Sequence, residues 1–486
     1  MRFAPTAAYF LLCVWLLGGA ANAADNSTAL QWQALTRIDV EEAYNLLKDN
    51  HPGAVPEVGD KVFTDMLAAA HAKALDRAAK VEDIEGHNAT LAAFANSTGD
   101  GHIWSHDVFQ RQELTWAGII AAKRGPDWVV GVDDPKITGT ELSGARIVRC
   151  DGRSADELAH EVMPFHASTS NEAFLVLRAG WLLVDDGNPF VHRPANCVFD
   201  KAGKRLDLTL HWTKIARDKL IGHIWKAPVG EAGFGVRASG NGYWIAIQGL
   251  SAKAQPVLDA VKAEERKMHE APYVVLDLRG NGGGDDAYGR RLAEELYGAG
   301  YVKAVLGPSG LAGGCREVFR ASPENIAAFA EQAKRFRKEG DMAGAELYTD
   351  AVRRMKAASA AGHPLTGPLT CNATRPAATH MEPSLMRGKM FVLTDAACFS
   401  SCINVVGFFH KLGAIQIGED TGSDTHYQEV REIVLPSGLS TFSTLQAIAP
   451  DAPRKVGPYA PRFIYAGDIA DTAALEKWVP GLATKN

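Results

Sequence analysis

Apolar residues change their spacing twice along this chain. From residue 24 to 97 they recur at helical intervals, so Val40–Leu47, Val62–Lys80 and Ile84–Phe94 predict helices, with His51, Pro52 and Gly53 breaking the first from the second. From Leu114 to about Lys214 the pattern becomes short strands at Trp128–Val132, Ala145–Arg149, Cys197–Phe199 and Leu206–Trp212. Asp151-Gly152 marks a turn there, and a helix-like stretch, Glu172–Leu183, interrupts the strands. From Gly242 onward, apolar runs at Tyr243–Ile247, Tyr273–Leu278 and Met390–Leu393 read as buried strands. Each precedes a helix-like segment (Pro256–His269, Ala287–Tyr297 and Ser401–Leu412), and such alternation predicts a largely parallel sheet covered by helices. Two strong helices, Glu324–Glu339 and Ala343–Ala360, fill an insertion between Gly307 and Pro383.

Two of the predicted strands break into loops that carry chemistry. Tyr273–Leu278 runs into Arg279 and then four glycines within five residues, Gly280 and Gly282–Gly284. Such a loop bares backbone N–H groups, either to a phosphate or to the oxyanion of a reacting carbonyl. The phosphate reading fails on spacing. A dinucleotide fingerprint needs glycine at 285, where Asp285 stands beside Asp286, and no Gly-Lys-Ser/Thr is present. A purely structural glycine turn is the plain alternative.

The strand Met390–Leu393 breaks into small residues, then Cys398, Phe399, Ser400, Ser401 and Cys402 at a helix start. A serine at such a turn is either a helix N-cap or a nucleophile with the next amide as oxyanion donor. Taken with the glycine loop at another strand end, the nucleophile reading gains. Among the 15 histidines, two sit in turns suited to serve as base: His102 in Thr98–His102, and His426 in the glycine-containing loop Gly418–His426. His102 and His106 have a helical metal spacing, but Gly101 opposes a helix and no Glu lies between them, so no metal site is assigned. No cofactor is called for.

Composition narrows the setting. The 486 residues allow two or three domains, and 46% hydrophobic with 22% charged residues is ordinary for a folded soluble protein. A net charge of −6 without a basic stripe argues against nucleic acid. Arg2, the apolar Tyr9–Leu17 and the Ala21-Asn22-Ala23 cleavage pattern read as a signal peptide over 1–23, too short to span a bilayer. The mature chain is then periplasmic or secreted, without a membrane span. Removing Cys13 leaves Cys150, Cys197, Cys315, Cys371, Cys398 and Cys402, an even set suited to disulfides. Cys150–Cys197 and Cys315–Cys371 are the favoured pairs, which leaves Cys398 and Cys402 bracketing two serines.

The motifs together resemble peptidase family S41, the carboxyl-terminal processing and tricorn-core serine proteases. His51-Pro52, Asp100-Gly101-His102, Ile147–Arg153, Asp277–Gly284, Phe399-Ser400-Ser401, Gly418–Gly422 and Val430–Pro436 recur in that order. The resemblance implies an α/β fold: a helical segment over 24–112, a small β-rich PDZ-like module over 113–222, and a crotonase-like parallel-sheet core over 223–486 with the helical insertion 308–382. It implies Ser400 as nucleophile, and Ser401 with Gly282 or Gly283 as oxyanion-hole amides. The lysine of the processing proteases has no counterpart in Ser423–His426, so the chain is nearer the tricorn-like branch, with His102 as base. An orienting acid near Lys455–Pro461 is not evident.

The function this implies is a serine peptidase acting on peptides or unfolded proteins, its activity rising near pH 6–7 as an unperturbed histidine deprotonates. A catalytically silent relative that binds apolar ligands or peptides in the same cleft is the alternative, with the insertion as a lid. An oligomer is compatible with either.

Overall fold

The computed structural model describes residues 21–226, 231–306, 317–369, 382–450 and 452–484. The apolar stretch Tyr9–Leu17 and the cysteines Cys13, Cys315 and Cys371 lie outside these, so the signal-peptide reading and the Cys315–Cys371 pairing fall there.

The centre is a six-stranded sheet in the order Phe234–Ser239, Gly242–Ile247, Tyr273–Asp277, Lys389–Thr394, Ile415–Gly418 and Phe463–Ile464. Its first pair is antiparallel and the rest are parallel. Side chains alternate faces along a strand, so a strand apolar throughout must be covered on both sides. Val274 and Leu276 join Ile245, Ile247, Met390 and Val392 in one core, beneath the helices Gln255–Glu270, Ala287–Tyr297 and Ser401–Lys411. Tyr273 and Val275 face the other way, with Trp244, Phe391 and Leu393, and pack on Leu475, Val479 and Leu482 of the helix Thr472–Ala483.

A buried ion pair joins this sheet to that last helix. Arg279 is fully buried and donates to both carboxylate oxygens of Asp277, at 2.9 and 2.7 Å. It donates further to the carbonyl of Ile469 and the hydroxyl of Thr472, and the Trp244 indole donates to Asp277. The charged residues that end the strand therefore fasten the C-terminal segment rather than face a ligand.

A second, antiparallel sheet stands beside the first. Its hairpin, Tyr427–Val434 and Ser440–Ile448, pairs along the far edge of the second strand with Ser105–Asp107 and Val318–Phe319. The N-terminal helices Ala21–Asn50, Lys61–Ala78 and Ile84–Asn96 pack on it: Leu47, Phe63, Leu91 and Phe94 share one core with Tyr427, Phe442, Leu445 and Ile448. Asp60 and Asp83 cap the second and third helices, accepting from Phe63 and Gly86 N–H. The insertion contributes the helices Pro323–Glu339 and Met342–Ala360, which pack on Phe319 and Ala447 through Phe329, Ala351 and Met355.

The β-rich module is built on the antiparallel strands Ile119–Arg124, Asp127–Asp133, Arg146–Cys150, Asn196–Lys201 and Lys204–Thr209. One helix, Ala155–Val162, packs in its core behind a capping box formed by Ser154 and Glu157. Cys150 and Cys197, directly opposed in register, form a disulfide. No helix among the described residues is long and apolar enough to cross a membrane.

Candidate active site

The glycine loop and the serine turn follow neighbouring parallel strands, Tyr273–Asp277 and Lys389–Thr394, and meet at their carboxyl ends. Several bonds hold them in register. Both oxygens of buried Asp395 accept from Gly280 N–H, at 3.1 and 3.0 Å, and one also accepts from Ala397 N–H. Asn281 accepts from Phe399 N–H through its carbonyl, and its side-chain amide donates to Ile247. Burial, only partly offset by these amides, pushes the Asp395 carboxyl up to about 7.

Ser400 stands at the N-terminus of Ser401–Lys411 with φ 57° and ψ −131°, and its side chain makes no capping bond. A residue with a Cβ seldom takes that backbone. The conformation instead presents the hydroxyl to His102, whose Nε2 lies 3.0 Å from Ser400 Oγ.

His102 is held from several sides. Ser443 accepts from Trp104 N–H and donates to the His102 carbonyl, each at 2.8 Å, which fixes the backbone entering the strand Ser105–Asp107. The ring packs on Phe399 at 4.6 Å between centroids. Gly101 fits the close approach of Phe174 and Phe399, whose rings a Cβ there would strike.

Two carboxylates face the other ring nitrogen. His102 Nδ1 lies between them, 3.2 Å from Asp424 and 3.4 Å from Asp100, and makes a well-aligned bond to neither. Asp100 is fixed by accepting from His102 N–H at 2.8 Å and from the Thr425 hydroxyl at 2.5 Å. Burial alone would lower the histidine's pKa, but the close Asp100 and Asp424 carboxylates outweigh it and raise it to about 10. Burial also raises Asp424, whereas the bonds from His102 and Thr425 overcome burial at Asp100 and bring it below its ordinary value. The unperturbed value near 6.5 therefore does not apply to this histidine.

Asp424 is the residue that sequence reasoning missed. It sits in a two-residue strand, Asp424–Thr425, paired with Lys455–Val456, the region where an acid had been sought. The cue was available: Asp424 lies in the Ser423–His426 segment that replaces the missing lysine. His426, the other candidate base, lines the same cleft, edge-on to Tyr427 at 4.4 Å, and has no hydrogen bond to Ser400. Burial lowers its pKa.

Of the candidate oxyanion donors, Gly283 lies against the serine turn, where a Cβ would come within 2.9 Å of Ser400 Cβ and 3.0 Å of Ser401 N. Its N–H donates to Asn281 Oδ1 at 2.9 Å. The N–H groups of Gly282 and Ser401 have no acceptor among the described residues. The cleft over the site encloses about 750 Å³ and is bordered by Asp285, Asp286, Tyr348, Phe408 and Glu429 as well as Ser400 and His102. Asp100, His102 and Asp424 are also the group among the described residues whose ligand atoms cluster closely enough to hold a metal, within 4.8 Å. His106 is not part of it; its Nδ1 lies 3.3 Å from Glu432. Cys398 and Cys402, left without assigned partners by the sequence, are bonded to each other.

This is an α/β protein whose serine and histidine meet at the carboxyl ends of parallel strands. Residues 242–453 match the family model of peptidase family S41. The fold is similar to that of mature CPAF. The structure of mature CPAF complexed with lactacystin is 13% identical, with TM-score 0.61 and coverage of 94% of this chain and 100% of that one. A second structure of mature CPAF gives 13% identity and TM-score 0.59, covering 94% of this chain and 99% of that one. No curated protein matches the sequence.

Proposed function

We propose that this chain is an extracytoplasmic serine peptidase with Ser400 as nucleophile and His102 as general base. The observation that carries the reading is the 3.0 Å contact between His102 Nε2 and a serine hydroxyl at a strained strand-to-helix turn. Ser400 Oγ attacks the peptide carbonyl while its proton passes to Nε2. The same proton then goes to the leaving amine, and a water repeats the sequence on the acyl-enzyme. Asp424 and Asp100 orient the ring and stabilise the imidazolium. The amides of Ser401 and Gly282 hold the oxyanion, each such donor being worth roughly 3–4 kcal/mol in the transition state. The match of residues 242–453 to the S41 family model supports peptides as the substrate class. The parallel sheet is read as crotonase-like, the β-rich module as PDZ-like, and residues 1–23 as a signal peptide directing the chain to the periplasm or outside the cell.

Labelling with a fluorophosphonate probe tests this. Wild type should be labelled and Ser400→Ala should not; equal labelling of both means that Ser400 is not the nucleophile. The raised pKa of His102 favours a second reading, a silent peptide-binding protein whose histidine stays protonated. An absence of labelling from pH 6 to pH 10 in folded wild type selects it.

A further inference from the structure

The Cys398–Cys402 disulfide encloses the proposed nucleophile. It joins side chains four positions apart in sequence, and Phe399, Ser400 and Ser401 are the only residues between them. As a fold staple this is a poor placement, because constraint on the unfolded chain grows with the length of loop closed. Cys150–Cys197, by contrast, spans 47 residues and ties two strands of the β-rich module. The short bridge needs another explanation, and the serine between its ends offers one.

Ser400 holds φ 57° and ψ −131° directly before a helix. A serine left to itself at that position favours extended backbone, with its hydroxyl accepting from an amide in the first helical turn. That relaxed geometry would direct Oγ at its own helix and away from His102. Hydrogen bonds hold the residues on either side of Ser400, Phe399 N–H donating to the Asn281 carbonyl and the Ser401 hydroxyl to that of Gly284. Gly422 N–H donates to the Cys398 carbonyl, and the amides of Cys402 and Ile403 donate to the carbonyls of Phe399 and Ser400, which secures the two ends of the turn. What links those ends through side chains is the disulfide. Both sulfur-bearing residues are fully buried in the core formed with Leu292, Val405 and Phe409. The turn cannot open to an extended serine without displacing a buried half-cystine.

We infer that the Cys398–Cys402 disulfide is a positioning element that holds Ser400 in its positive-φ conformation, with Oγ on His102 Nε2. It acts through Ser400 and touches no substrate. The inference rests on the reading of Ser400 as nucleophile, and it makes the closed bond a condition of full reactivity.

The test uses the full chain as Cys398→Ala/Cys402→Ala, with Cys398→Val/Cys402→Ala as a second variant that refills the core should the first not fold. A fluorophosphonate labelling rate, kcat and KM on a peptide substrate, a melting curve and a crystal structure are measured beside wild type. The expected result is a fall of about ten-fold or more in labelling rate and kcat, with KM within about two-fold, because small misplacements of reacting groups act mainly on the chemical step. In the crystal, Ser400 should leave positive φ and Oγ should move out of reach of His102. A folded variant that keeps this geometry and reacts at the wild-type rate overturns the inference. Should wild type itself prove unreactive, the peptidase reading fails, and the Ser400 conformation in the variant crystal still decides whether the bond holds the turn.

Discussion

His102 is caught between two needs. As the proposed base it must be neutral to take the Ser400 proton, yet Asp100 and Asp424 hold its pKa at about 10. The neutral fraction therefore grows about ten-fold per pH unit until that value is reached. We expect kcat/KM to climb through neutral pH and level off only near pH 10; a plateau already at pH 7 would count against the two-acid arrangement. The sign for stability is opposite. Because the folded value lies above the ordinary 6.5, the stabilisation this histidine supplies is complete below about 6.5 and is lost as pH rises toward 10. Asp424→Asn removes one of the two carboxylates, so the rising limb of the profile should shift to lower pH while the plateau rate falls. Ser400 and His102 stand out in sequence as candidates, each in a short turn motif, with His426 as a second possible base; the structure places His102 Nε2 3.0 Å from Ser400 Oγ. Asp424 does not stand out. An acid that faces a ring 322 positions away (424 − 102) has no local signature; the pairing of Asp424–Thr425 with Lys455–Val456 and the bond from the Thr425 hydroxyl to Asp100 bring it there.

Most helices and the central strands fall within a few residues of their expected bounds, since apolar periodicity is a local property; the first helix does not, running over Ala21–Asn50 where Val40–Leu47 is expected. The antiparallel hairpin Tyr427–Val434 and Ser440–Ile448 was not read as a sheet of its own. Its partners, Ser105–Asp107 and Val318–Phe319, come from distant parts of the chain. At this scale the two loops of the site act as one unit. Gly283 has φ 102°, and a Cβ there would approach Phe399 O to 2.8 Å and Ser401 N to 3.0 Å. Gly283→Ala must displace the glycine loop or the nucleophile turn, and should lower the fluorophosphonate labelling rate by on the order of 10²-fold. Near-wild-type labelling would show that the two loops are not coupled. The neighbouring motif residue Arg279 predicts a different phenotype, since it lies under the site and not in it. Arg279→Met leaves Asp277 as a buried charge without its partner and should cost about 3–5 kcal/mol of stability. Urea unfolding followed by tryptophan fluorescence measures this, and a loss below about 1 kcal/mol would mean that the pair is not effectively buried.

Across the whole molecule, the site depends on a core that sequence order does not suggest. Leu47, Phe63, Leu91 and Phe94 of the N-terminal helices pack with Tyr427, Phe442, Leu445 and Ile448 of the late hairpin, so segments more than 300 positions apart close one hydrophobic unit. That hairpin carries Ser443, which fixes the His102 backbone, and its first strand begins just after Asp424 and Thr425. His102 and Asp100 thus lie in the N-terminal unit, with Asp424 just ahead of the hairpin, while Ser400 and the Gly282 and Ser401 amides lie at the parallel sheet. Weakening the shared core should loosen the first group and leave the second in place. Phe94 is fully buried and packs 5.5 Å, centroid to centroid, from Phe442. Phe94→Ala should cost about 3–5 kcal/mol of stability. Below its melting point it should also raise amide exchange in 440–448 while leaving 273–277 and 389–394 protected, because local opening follows packing units. Equal loss of protection in both sheets would mean that they unfold as one body, and that His102 cannot leave Ser400 without the whole core opening.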